Sequence, residues 1–120
     1  MFDWQDYLKL AEELNTDKLQ NSSIKEAYYR TIISRFYYGI LGIAKIKSGI
    51  TTKSAVVHKE VFEYFQKQNH LHCKQIAQIL DSLRKERNKC DYDAEETIGE
   101  KEATYIYEKC QIFLELINQT

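Results

Sequence analysis

The sequence predicts an all-α protein, one domain over residues 1–120 folded as an antiparallel up-and-down bundle of four to five helices. Three observations predict it. Apolar residues recur at helical spacing along most of the chain, proline is absent, and only four glycines interrupt the pattern. No stretch shows the strict alternation of a half-buried strand, and no repeat or linker divides the sequence. A chain of 120 residues is large enough for a single core and too small for two.

The first helix follows Asp3, which is placed to cap it. Trp4, Tyr7, Leu8, Ala11 and Leu14 form its stripe, and Asn15-Thr16 loosens its end. Asn21-Ser22-Ser23 offers caps for a second helix, and Ser23 with Glu26 has the spacing of a reciprocal capping box. That helix runs to about Ser48, with Gly49 as its stop. From Ile32 to Ile46 it is apolar around nearly its whole circumference, through Ile33, Phe36, Tyr37, Tyr38, Ile40, Leu41, Ile43 and Ala44. Covering all of it from within one small chain looks unfeasible, so part of the surface is expected to lie against a second copy in a homodimer. Gly39 and Gly42 each cost about 1 kcal/mol of helix propensity. They imply either close approach of another backbone or relief of crowding inside the chain. Ser34 and Arg35 break the apolar run. The serine can bond back to a carbonyl one turn earlier, and Arg35 needs an acid, with Asp91 and Asp93 the first candidates.

Thr51, Thr52 and Ser54 supply caps for a third helix striped by Val57, Val61, Phe62 and Phe65, on which His58 also lies. Gln68-Asn69-His70 forms a short turn. The fourth helix spans about Leu71 to Cys90, and Asp91 to Gly99 is an acidic loop. Thr97 and Glu100 repeat the capping-box spacing before a last helix with Ala103, Ile106, Tyr107, Cys110, Phe113, Leu114 and Ile117 on its core side.

The fourth helix ends in the stretch that carries most of the functional signal. Ile76, Ile79, Leu80 and Leu83 set up an apolar face, and the next position on it is Arg87. A guanidinium facing inward must meet carboxylate, phosphate or carbonyl groups, because an unpaired buried ion costs several kcal/mol. Asp91, four residues on, shares its face. The pair is either a plain intrahelical ion pair or part of a polar cluster of Arg87, Asn88, Asp91 and Tyr92 that faces a partner or a nucleic acid.

Composition narrows the classes of function. A net charge of −1 gives no general attraction to nucleic acid, so RNA or a nucleotide could bind only at a local basic patch, and Lys74, Arg84, Lys85, Arg87 and Lys89 are the densest one. No apolar run approaches a membrane span and no leader precedes the first helix, so a cytoplasmic protein without a membrane role is expected. Cys73, Cys90 and Cys110 suit reduced thiols, with Cys110 at least in the core. His70, His72 and Cys73 lack paired ligand spacing, so neither metal nor cofactor is expected. The phosphate-binding glycine loop, the Gly-x-Ser-x-Gly elbow and the His-Glu-x-x-His pair are absent. Within the Arg87 cluster only Tyr92 could move a proton, and a phenol with a pKa of about 10 is a poor base at neutral pH.

Phe2-Asp3-Trp4, Tyr7-Leu8, Ala11-Glu12-Glu13-Leu14, Ser34-Arg35-Phe36-Tyr37-Tyr38, His58, Leu83-Arg84 and the run from Arg87 to Asp93 follow one another in an order that resembles the small bacterial HEPN domain proteins. The resemblance covers most of the chain, and the Ser-Arg-x-Tyr-Tyr and Arg-Asn-x-x-Asp-Tyr-Asp runs are its most specific parts. It implies a helical bundle that dimerises and is often encoded beside a minimal nucleotidyltransferase, as a toxin and antitoxin pair or within an anti-phage system. Active members of the family are metal-independent endoribonucleases with an arginine, usually an asparagine after it, and a histidine somewhat more than one helical turn later. Arg87 and Asn88 match the first part, and Tyr92 and Asp93 stand where the histidine is expected. In some relatives a tyrosine just after that histidine receives AMP from the partner enzyme, and Tyr92 is the nearby candidate.

Three readings follow. In the first, a homodimeric binding or regulatory component uses Arg87, Asn88, Asp91, Tyr92 and Arg35 near its interface, supported by Ser34, Tyr38, Arg84, Asp93 and His58. In the second, Arg87 grips the scissile phosphate of RNA and Tyr92 or His58 handles protons. In the third, the arginine and its acid are an internal brace.

Overall fold

A computed structural model describes residues 2–16 and 22–120. Five helices make up the described chain: α1 (Gln5–Thr16), α2 (Ser22–Ser48), α3 (Val57–Lys67), α4 (Leu71–Tyr92) and α5 (Glu100–Ile117). No strand occurs among the described residues, and none of their helices is long and apolar enough to cross a membrane. The caps expected from Asn21-Ser22-Ser23 and the loosened end at Asn15-Thr16 lie outside the described residues and side chains.

The bundle is built around α2. All four other helices pack on this 27-residue rod, and α4 also packs on α3 and α5. Ile32, Ile33, Phe36, Ile40 and Ala44 are fully enclosed, and Tyr37 is 1% exposed. Within one chain most of the apolar coat is already covered, with Tyr38 and Ile43 half-buried and Ile46 exposed near its end, so the middle of α2 needs no second copy to bury it. The reason lies in the glycines. A Cβ on Gly39 would stand 2.5 Å from Leu8 Cδ2, and one on Gly42 would overlap the Trp4 ring. Both glycines let α1 lie close along α2, which resolves their role as relief of crowding within the chain.

Element ends follow local chemistry, with some shifts from expectation. Asp3 Oδ1 accepts from the Gln5 amide at 3.0 Å and starts α1. Gly49, at φ +76°, ends α2 in the left-handed region that glycine enters without steric cost. Thr51, Thr52 and Ser54 do not cap α3 through their side chains: the helix begins at Val57, and the Thr52 hydroxyl donates instead to Glu60 at 2.6 Å. His70 caps α4, its Nδ1 accepting from the His72 amide. The start of α5 lies later than Thr97-Glu100 suggested, with Glu102 Oε2 accepting from the Gly99 amide at 2.8 Å. All three cysteines are free and buried.

Candidate functional site

Helix α4 runs two residues further than its expected end at Cys90, so Asp91 and Tyr92 are helical rather than part of the acidic loop. That extension holds Asp91 one turn beyond Arg87 on the same face. Arg87 is 6% exposed, the only charged residue buried among those described. Its Nη1 donates to Asp91 Oδ2 at 3.3 Å. Its Cζ lies 5.3 Å from the ring centroids of Tyr37 and Tyr38 on α2 and 5.9 Å from that of Tyr92. Desolvated cation–π contacts contribute on the order of 1–2 kcal/mol each, so the rings offset part of the cost of removing the guanidinium from water. The Nε is buried without a hydrogen-bond partner.

Tyr37 connects this cage to α3. Its hydroxyl lies 2.9 Å from His58 Nδ1. Burial pushes the Tyr37 pKa up to about 12 against the opposing pull of Arg87 and Arg84, so the phenol keeps its proton. Burial, then the Arg84 and Arg87 cations, hold His58 below its ordinary value. A protonated phenol beside a neutral imidazole makes Tyr37 the donor and Nδ1 the acceptor. His58 thus reaches the Arg87 environment through one shared ring.

The remaining expected residues divide into two groups. Ser34, Arg35, Asp91 and Tyr92 line one open cleft of about 490 Å³ between α2 and the end of α4. Arg35 does not take Asp91 or Asp93 as its acid. Asp91 is engaged by Arg87, Asp93 accepts from the Glu95 amide at 3.0 Å, and Arg35 lies over the Tyr7 ring at 5.3 Å. Nor does Ser34 make the expected bond back along the helix; Thr31 makes one, to the Ala27 carbonyl at 2.8 Å. Asn88 is half-buried beside Arg87 and is not one of the cage contacts. Arg84 is exposed in a second cleft with His58, bordered by the Tyr37 ring that also faces Arg87. Tyr92 is 78% exposed at the lip of the first cleft.

The basic patch is largely occupied by its own neighbours. Lys85 pairs with Asp81 at 3.1 Å, Lys89 with Glu86 at 3.5 Å, and Lys74 donates to the Gln66 carbonyl at 3.0 Å. With Arg87 buried, Arg84 is the member that makes neither an ion pair nor a hydrogen bond among the described residues.

Arg30 was missed by sequence reasoning. Its Nη1 donates to the Lys89 and Cys90 carbonyls at 3.0 and 2.9 Å, its Nη2 to the Glu96 carbonyl at 2.6 Å, and its Nε to Glu26 at 3.2 Å. The other Glu26 oxygen accepts from the Ile98 amide. Arg30 thus donates to carbonyls at the end of α4 and in the loop to α5, while Glu26 accepts from the loop's Ile98 amide, and together they fix that loop. Their spacing of four residues was a readable signal for an ion pair; the carbonyl targets, some sixty positions away, were not.

The uncharacterized protein MJ0992 of Methanocaldococcus jannaschii is 33% identical over 141 aligned positions, which take in all of this chain and 75% of the relative. The chain belongs to the same family as MJ0992. No model of a described protein family matches it, and no solved structure does.

Proposed function

We propose that this chain is a HEPN-like helical protein that works as a homodimeric binding or regulatory component, in a toxin–antitoxin or anti-phage setting with a nucleotidyltransferase as its partner. The observation that carries this reading is the state of Arg87: enclosed, paired with Asp91 and set among three tyrosine rings, it orders the end of α4 rather than standing open to a phosphate. What that end presents outward is Tyr92, beside Arg35 and Ser34. An exposed aromatic ring next to a cation is the kind of anchor that protein interfaces use. Light scattering of the purified protein, with and without a minimal nucleotidyltransferase from the same host, tests the proposal. A dimer that binds the enzyme and leaves RNA intact in chelator supports it; a monomer indifferent to the enzyme overturns it.

The Tyr37–His58 bond favours a second reading, a metal-independent endoribonuclease. A neutral imidazole one ring away from a guanidinium has the proton-accepting group that the Arg87–Asp93 segment itself lacks. Cleavage of RNA in chelator, abolished by both Arg87→Ala and His58→Gln, would establish it in place of the first reading. In both readings Arg87 also braces the fold.

A further inference from the structure

Between α3 and α4 lies a cleft of about 320 Å³ to which neither functional reading assigns a small-molecule ligand. This is at the small end of the range for sites that hold organic ligands. Val56, Phe62 and Leu80 give it an apolar body, and Val56 is 51% exposed, a large aliphatic group left uncovered. Polar groups converge on the same space from two helices: His58 and Lys59 from α3, Arg84 and Asp81 from α4. Their charges are unequally committed. Asp81 is drawn to Lys85 at 3.1 Å, Lys59 reaches Glu63 only at 4.0 Å with both side chains well exposed, and Arg84 has no carboxylate among the described residues. Behind the cleft, the Tyr37 ring separates it from the buried Arg87 cation.

His58 completes the set. Tyr37 is buried and, among the described residues, its hydroxyl has His58 Nδ1 as its acceptor, so that nitrogen accepts and Nε2 carries the proton. The opposite edge of the ring is therefore a donor. A donor, a free guanidinium and a loosely held ammonium around an apolar floor match a ligand with a negative head and an apolar body.

We propose that the α3–α4 cleft binds a small amphipathic anion, a carboxylate or phosphate on a compact apolar or aromatic body, with Arg84 and His58 Nε2 holding its head and Val56, Phe62 and Leu80 its body. Arg87 does not line this cleft; His58 does and is shared with the nuclease reading, so Arg84, which that reading does not use, is the residue that tells the two apart.

The test is a titration of isotope-labelled protein, following the His58 ring resonances. Phenyl phosphate and phenylacetate are the probes, and inorganic phosphate and benzyl alcohol carry the head and the body alone. The expected result is a saturable shift of the His58 Nε2 signal with one or both probes, and binding at least tenfold weaker for either half alone. Whichever probe binds tighter identifies the head group. Arg84 is exposed on a helix, so Arg84→Ala should fold, as its circular dichroism would show. It should weaken the probe at least tenfold, and Arg84→Lys should recover part of the loss. The groups that set the charge around His58 are Tyr37 on α2, Asp81, Arg84 and Arg87 on α4, and Lys59 on its own helix. An anion placed among them raises the His58 pKa, so the probe should bind more tightly as the pH falls through the histidine range. Absence of a saturable shift, equal affinity for the half-ligands, or indifference to Arg84→Ala overturns the proposal.

Discussion

A guanidinium enclosed by three phenolic rings is sensitive to which of its partners is removed. Asp91 carries the one countercharge bonded to Arg87, and its side chain is 27% exposed against 8% for the arginine. Breaking a fully buried pair costs about 3–5 kcal/mol and an exposed one less than about 1 kcal/mol. Asp91→Asn should therefore fall between, at roughly 1–3 kcal/mol, measured by denaturant unfolding. Arg87→Met, which removes the buried charge and keeps an unbranched stem for the rings to pack on, should cost less than Arg87→Ala. The reverse order would mean that the rings do not pack on an apolar stem in place of the guanidinium. His58 gives the pH dependence at this scale. Its folded pKa lies below the ordinary 6.5, so the unfolded chain binds the proton more readily. Stability from this group is then fully present above about pH 6.5 and is lost as the pH falls from there through the folded value. Protonation also turns Nδ1 into a donor and leaves the Tyr37 hydroxyl proton without an acceptor. In thermal melts the slope below pH 6.5 should be smaller in His58→Gln than in the parent protein.

At the scale of helices, two contacts decide whether the ends stay docked. Trp4 is the single tryptophan of the chain and sits where a Cβ on Gly42 would fall. Gly42→Ala gains about 1 kcal/mol of helix propensity but forces the indole off α2. Overpacking of this kind typically costs about 1–3 kcal/mol, so the net effect should be destabilising. Tryptophan emission should shift to the red before the main unfolding transition, reporting α1 as it lifts; unchanged emission would place the indole elsewhere. The end of α4 is held differently, by Arg30 on the Lys89, Cys90 and Glu96 carbonyls. Burial pushes the Cys90 thiol up to about 12 and the Cys110 thiol higher still, so both are protonated and unreactive while folded. Arg30→Ala should release the last turn of α4 as a local opening. Cys90 should then react with a thiol reagent well before Cys110 does. Simultaneous labelling would show that the clamp contributes only to global stability.

The whole molecule shows which parts of the fold could be read from residue order. Helix positions were legible because the stripes of α1, α3, α4 and α5 repeat at helical spacing, and Gly49 marked a stop that its positive φ explains. The surroundings of α2 were not, because an all-round apolar surface says that it is covered without saying by what. Its cover came from Trp4 and Leu8 seated over Gly39 and Gly42, a fit between two helices that neither sequence alone displays. The site was half legible: spacing within α4 linked Arg87 to Asp91, whereas Tyr37 as the bridge to His58 and Arg30 as a clamp depend on which helices become neighbours. This closure of α2 has a consequence for assembly. If two chains had to share its apolar surface, neither would fold alone, and the unfolding midpoint would rise steeply with protein concentration. A core completed within one chain predicts protomers that fold on their own, with the proposed dimer forming afterwards through the surface around Tyr92. Over a hundredfold range of concentration the thermal midpoint should move by only a few degrees. Tyr92→Ala, which removes an exposed ring, should shift sedimentation from dimer towards monomer and leave the helical circular dichroism spectrum unchanged. Loss of helicity together with the dimer would return the shared surface to α2.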